Sequence, residues 1–526
     1  MKLLAAHGVA ASVPAALIAP TGARASLGPG PKKLVTILAE GGWFCQHMFS
    51  PLTAAQVGVH IPEKGSGQGG VDRNPRFYAA EDLKNLDGSG DAPDDDPRFQ
   101  RLRAPHLWDS ALLAGGGNLG TGDFGWSWVA DPGDGSGPIY ENAVAIHGVD
   151  QGTAAHDSGK VAALSGLAGA GYKIPAAHCV VADAVHAMYG ESRPLGAVSV
   201  GAGAFRISHL DLPAHAIPTA MRDLSSIEAT LSDRADAPWA GLRHRNTVEH
   251  LGFDGMPTGE ELQLTEIEAF AMARSRGLLG RGDDRMYEAL YDSYATVSRQ
   301  LALDIVTILE GTPGWEGPPP TWAWHRNTPY SVPVNPGHTL DTGEHWNDSF
   351  ELALKLLKSD LCSAINLQVK ASGASTFDTH SAEGHNKQFV DSRMVMEVIG
   401  RFLMEMKRTP SPSGGLNLLD DTLVLIVSDF SRDWPKVASD NHWPISTMVM
   451  AGGGLHGNRM VGAYDLPERV GNPGTGLPVD MILEDGTPAN RPPTVTDFIY
   501  TAYDVMGIEL FMPGGPGKIV GVKGEV

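Results

Sequence analysis

Positive charge is in short supply in this chain: 40 Lys and Arg stand against 61 Asp and Glu, a formal charge of −21 over 526 residues. Duplex nucleic acid is bound through a basic face that neutralises phosphates, so the balance argues against a nucleic-acid partner. Cysteine is scarcer still. Cys45, Cys179 and Cys362 are too few and too scattered for a disulfide framework or a thiolate zinc site, and at least one thiol is left over. Beyond the N-terminus no run reaches the ~20 consecutive apolar residues that a membrane-spanning helix needs, so the mature chain is expected to be soluble. No internal repeat of fixed period is visible either, which argues against a solenoid or propeller.

What the chain does have is enough apolar sequence, 42% of residues, to bury a large core. Residues 1–25 read as a secretory signal: Lys2, a small-apolar stretch, then Ala23-Arg24-Ala25 as a cleavage site. That places the mature protein in the periplasm or another extracytoplasmic space. The remainder, 32–526, reads as one α/β domain with a mostly parallel central sheet and helices on both faces, because short β-rich runs alternate with helical periodicity. Runs at 33–39, 142–147, 179–182, 197–200, 364–369, 421–428 and 446–451 are expected strands. Helices are expected at 160–170, 262–309, 349–358, after 385, and at 496–506. Residues 63–104, rich in Gly, Pro and Asp, read as a surface excursion, and 311–343, rich in Pro and Trp, as an irregular cover.

Chemistry gathers where apolar runs stop, and open α/β sheets bind ligands in the crevice beyond the carboxyl ends of their strands. Glu40 precedes the Gly41-Gly42 turn at the end of the first run. Thr153, His156 and Ser158 lie where the second run leads into a helix, a place suited to an anion because unpaired N–H groups and the helix dipole face it. Asp378, His380 and His385 offer a carboxylate and two imidazoles, and Asp429 and His442 stand at the ends of later runs. Oxygen and nitrogen donors without thiolates suit one or two divalent ions such as Zn²⁺ or Mn²⁺, with Ca²⁺ also open.

The motifs Phe377-Asp378-Thr379-His380, Ser428-Asp429-Phe430-Ser431-Arg432, Asn441-His442-Trp443-Pro444, Ala451-Gly452-Gly453-Gly454, Val461-Gly462-Ala463-Tyr464-Asp465 and Pro493-Thr494-Val495-Thr496-Asp497 resemble, in that order, the DUF1501 family of sulfatase-like proteins. The resemblance implies an alkaline-phosphatase-like fold and metal ligation by Asp378, His380 and His442, with Asp429 at an acidic position of the family. His385 is added on proximity. Two departures stand out: Trp43 follows Gly41-Gly42 where the family has an Asp nearby, and Ala155 precedes His156 where a nucleophilic Ser is usual. The expected function is an exported metal-dependent hydrolase of phosphate or sulfate esters, acting on a small-molecule or glycan ester. Ser158, Thr153 or a metal-bound hydroxide would attack, with His156 steadying the leaving group or the transferred anion. The alternative is a catalytically inactive member that binds an envelope glycan or partner protein.

Overall fold

The computed structural model describes residues 30–43, 45, 49, 83–89, 98–105, 126–131, 133, 135–167, 175–189, 193–201, 216, 218–221, 305–316, 344–369, 377–378, 382–432, 442–462, 464–465, 477–478, 481–482, 487–509 and 516–524. The signal reading at 1–25, most of the excursion, the helix at 262–304, the cover from 317 to 343 and His380 lie outside the described residues. In chain order the elements are β1 (Lys33–Ala39), β2 (Leu83–Asn85), β3 (Arg103–Pro105), α1 (Trp126–Val129), β4 (Ala143–Asp150), α2 (His156–Ser165), α3 (Ala177–Tyr189), β5 (Gly196–Val200) and β6 (Thr219–Met221). They continue with α4 (Ile305–Gly311), α5 (Glu344–Lys358), β7 (Cys362–Val369), α6 (Ala382–Arg408), β8 (Thr422–Ser428), β9 (Ser431–Arg432), β10 (His442–Trp443) and β11 (Ile445–Gly452). The last are β12 (Arg459–Val461), β13 (Tyr464–Asp465), β14 (Leu477–Pro478) and α7 (Val495–Val505).

Eight strands form one sheet in the order β12-β4-β11-β8-β1-β7-β5-β6. Every neighbouring pair is parallel except the two made by β11, so the fold is α/β with a mostly parallel mixed sheet. The continuous apolar sequences of β1 and β8 have a simple cause: both strands are buried along their whole length, as strands covered on both faces must be. Val35, Ile37 and Ile426 point into one core with α5 and α6, while Leu34, Leu38 and Leu425 point into a second with α2, α3 and α7. Within the 63–104 stretch, the described part pairs β2 with β3 and buries Phe99 and Leu102.

One expected strand is a helix. Residues 179–182 belong to α3, in which Cys179, Val181, Ala182 and Val185 face the second core. A short apolar run fits a buried helix as well as a buried strand, and here flanking Ala residues with strong helix propensity extend it to 13 residues. The helix expected from 160 begins earlier, at His156, and stops at Ser165 because Gly166 takes the left-handed conformation (φ 76°) that closes a helix.

The single reversed strand decides where the site lies. After β8 the chain turns through the β9–β10 hairpin and returns as β11, antiparallel to both its neighbours. Residues just before β11 therefore share an edge with residues just after β1, β4, β7 and β8. Glu40, the 151–158 loop, Asp378, Asp429 and His442 all arrive at that edge.

A histidine and aspartate cluster at the carboxyl edge of the sheet

His156 is the first residue of α2, behind an extended Ala155 (φ −104°, ψ 135°) that caps the helix without a side-chain bond. The helix can approach the end of β8 only because residue 159 is glycine: a Cβ there would lie 2.1 Å from the Asp429 carbonyl oxygen. His156 Nδ1 then meets Asp429 Oδ2 at 2.7 Å. Asp429 is fully buried, and its other oxygen accepts the N–H groups of Gly41 (2.9 Å) and Gly42 (2.6 Å) and the Ser428 hydroxyl (3.1 Å). The carboxylate thus ties the turn after β1 to the first residue of α2.

His442 comes from β10, opposite Arg432 of β9. Its Nδ1 donates to the Ala154 carbonyl at 2.8 Å, which fixes the proton on Nδ1 and leaves the Nε2 lone pair facing Asp378 Oδ1 at 3.3 Å. His156 Nε2 lies 3.3 Å from Asp378 Oδ2, within ion-pair range but without the alignment of a hydrogen bond, and this buried nitrogen has no hydrogen-bond partner among the described residues. One ligand atom from each of His156, Asp378 and His442 lies within 4.8 Å of the others. The two 3.3 Å imidazole–carboxylate separations run to different oxygens, His156 to Oδ2 and His442 to Oδ1 of Asp378.

Arg432, completely buried, locks the remaining loop in place. Nε donates to Gly42 O at 3.0 Å, and Nη2 donates to Gly41 O, to Phe377 O at 3.2 Å and to Asp378 Oδ1 at 2.8 Å. Phe430 lies against both imidazoles, its ring centroid 4.6 Å from His156 and 4.2 Å from His442. The hydrogen bond to Asp429 raises the His156 pKa above the usual imidazole value, against the effect of burial. Burial, helped by the Arg432 charge, lowers that of His442.

The expected site residues thus separate. His156, Asp378 and His442 come together, and Asp429 stands one bond behind His156 as its orienting partner. Glu40 is held by Lys160 and Gln368, and its backbone carbonyl accepts the Phe377 N–H at 2.7 Å. Ser158 and Thr153 share a 2.8 Å hydrogen bond, and Ser158 also donates to Ala155 O at 3.3 Å. Neither hydroxyl has a hydrogen bond to an imidazole or carboxylate among the described residues. His385 falls in α6 and its side chain lies outside the described residues, as does His380. Arg432 and Phe430, which contact the cluster, entered the sequence reading only as parts of the motif around Asp429.

Fold and site define an α/β protein whose sheet edge brings two imidazoles and a carboxylate together. Residues 353–513 match the family model described as Protein of unknown function (DUF1501). No curated protein matches the chain.

Proposed function

We propose that His156, Asp378 and His442 hold one divalent metal ion, and that the protein is an exported, sulfatase-like hydrolase of phosphate or sulfate esters with an alkaline-phosphatase-like fold. The supporting observation is the pairing of each imidazole. His156 directs Nδ1 to Asp429 and His442 directs Nδ1 to Ala154 O, while both Nε2 atoms turn to Asp378. Metal-binding histidines characteristically give their outer N–H to a carboxylate or backbone carbonyl, which sets the tautomer and aims the ring. The donor set fits Zn²⁺, Fe²⁺ or Mn²⁺ better than Ca²⁺, which prefers six to eight oxygens.

A bound metal would supply Lewis-acid polarisation of an ester oxygen and a water of lowered pKa. This chain's residues do the rest. Asp429 holds the proton on His156 Nδ1, the Ala154 carbonyl holds the one on His442 Nδ1, and Arg432 fixes the Asp378 carboxylate. The resemblance to sulfatase-like proteins and the signal-like sequence at 1–25 support the exported ester-hydrolase reading.

Elemental analysis of purified protein should find stoichiometric metal, lost in His156→Ala combined with His442→Ala. Aryl phosphates and aryl sulfates should turn over with added Zn²⁺ or Mn²⁺ and not in Asp378→Asn. Full metal content in the double variant would sink the assignment. The engagement of Ser158 by Thr153 and Ala155 favours a second reading, in which the same site binds an envelope glycan or partner protein without turnover. Metal retention with no hydrolysis across the ester panel and with tight glycan binding would select it.

A further inference from the structure

The three rings at this edge form a packed unit. Phe430 and His442 stack at 27° between planes, Phe430 and His156 tilt at 55°, and the two imidazoles meet edge to face with centroids 4.7 Å apart. Phe430 itself is fully buried. Gly42 fixes it from the far side. A Cβ at that position, where φ is +78°, would lie 2.1 Å from Phe430 Cε2 and 2.3 Å from Cδ2. The glycine of the first turn is therefore required for the phenyl ring to sit where it does.

We propose that Phe430 is a positioning residue for the metal site: a phenyl floor, seated on Gly42, that braces both imidazoles with their Nε2 atoms towards Asp378. The inference rests on the metal-site reading above. Its chemistry has two parts. Hydrogen bonds from Nδ1 to Asp429 and to Ala154 O fix one point on each ring but leave rotation about that bond; the stacked phenyl face limits it for His442, and the tilted contact at 55° limits it for His156. An imidazole that gives its lone pair to a cation also becomes electron-poor, and the electron-rich face of a phenyl ring favours an electron-poor ring above it.

The test uses the full-length chain, stripped of metal and titrated with Zn²⁺ and with Co²⁺, whose visible spectrum reports coordination geometry. Phe430→Leu keeps apolar volume but removes the ring face. It should bind both ions about tenfold more weakly, as loss of an outer partner typically does, with altered Co²⁺ bands. Phe430→Met, a second apolar replacement without a ring face, should move affinity and spectrum in the same direction. That variant decides the matter if Phe430→Leu fails to fold. Affinity within about twofold of wild type and an unchanged Co²⁺ spectrum, even with a lowered melting temperature, would mark Phe430 as ordinary core packing and overturn the proposal. Absence of metal binding in the wild-type protein would overturn the metal-site reading itself, a separate and recognisable outcome.

Discussion

At the scale of single residues, the buried groups around Asp378 have unequal tasks. Arg432 gives its guanidinium to three backbone carbonyls and one carboxylate. Arg432→Met should therefore leave those acceptors unpaired and destabilise the fold by about 3 kcal/mol, the low end of the range for breaking a buried pair because Asp378 is one-third exposed. Urea unfolding would measure it. Asp429→Asn should weaken metal binding about 10- to 100-fold, since an amide cannot both accept the Gly41 and Gly42 N–H groups and take the His156 proton with full charge. Protons compete with metal at His156, whose pKa is raised by Asp429. Apparent metal affinity should accordingly fall as pH is lowered through that raised value, which isothermal titration at several pH values would show. Asp378, Asp429 and His442 were legible in the sequence because polar residues ending apolar runs are conspicuous. Arg432 and Phe430 were not, because a cation serving distant carbonyls and a ring beneath distant imidazoles carry no local pattern. His156 was expected to steady the transferred anion, and its pairing with Asp429, 273 positions away, leaves no local mark in the sequence.

Elements show where periodicity suffices and where it fails. The β8 run was readable because a strand buried on both faces is apolar throughout, and Ile426→Ala in its middle should cost about 2–5 kcal/mol in equilibrium unfolding. The run at 179–182 misled because a few apolar residues look alike in a buried strand and a buried helix. The motif Pro493-Thr494-Val495-Thr496-Asp497 proves to be a capping box: Asp497 accepts from the Thr494 backbone, and its own N–H bonds the Thr494 hydroxyl, opening α7. Between β4 and β11, His147 pairs with Thr447 at 3.1 Å, and burial lowers its pKa to about 4. Its folded value lies below the unfolded ~6.5, so the unfolded chain binds more protons between those values and stability falls as pH drops from ~6.5 towards 4. The window accounts for roughly 3 kcal/mol, and denaturation curves of His147→Gln across it should be flatter than those of the wild type.

On the scale of the molecule, alternation of strands and helices foretold the sheet, but strand order and the reversal of β11 depend on long-range pairing that periodicity does not encode. The matched stretch, 353–513, contains β7 and β8 yet not β1, the strand that separates and pairs with both. A fragment limited to 353–513 should therefore remain unfolded by circular dichroism and be rapidly proteolysed, whereas the full chain resists. His156 also lies outside the matched stretch, so the cluster is assembled from both halves of the sequence. Among the described residues no helix is long and apolar enough to cross a membrane.

The central place of β1 has a consequence for the order in which the chain is made. Leu34 pairs with Ala364 on one side and Leu423 on the other, so this strand finds neither neighbour until the chain has been made as far as β7 and then β8. During translation the segment Lys33–Ala39 is an unsatisfied apolar ribbon, open along both edges, for longer than any other strand of the sheet. Closing loops of that length makes folding slow and the waiting intermediate prone to aggregate. A holding chaperone that binds Lys33–Ala39 should therefore slow aggregation until β7 and β8 can pair with it, which refolding yields with and without such a chaperone would show.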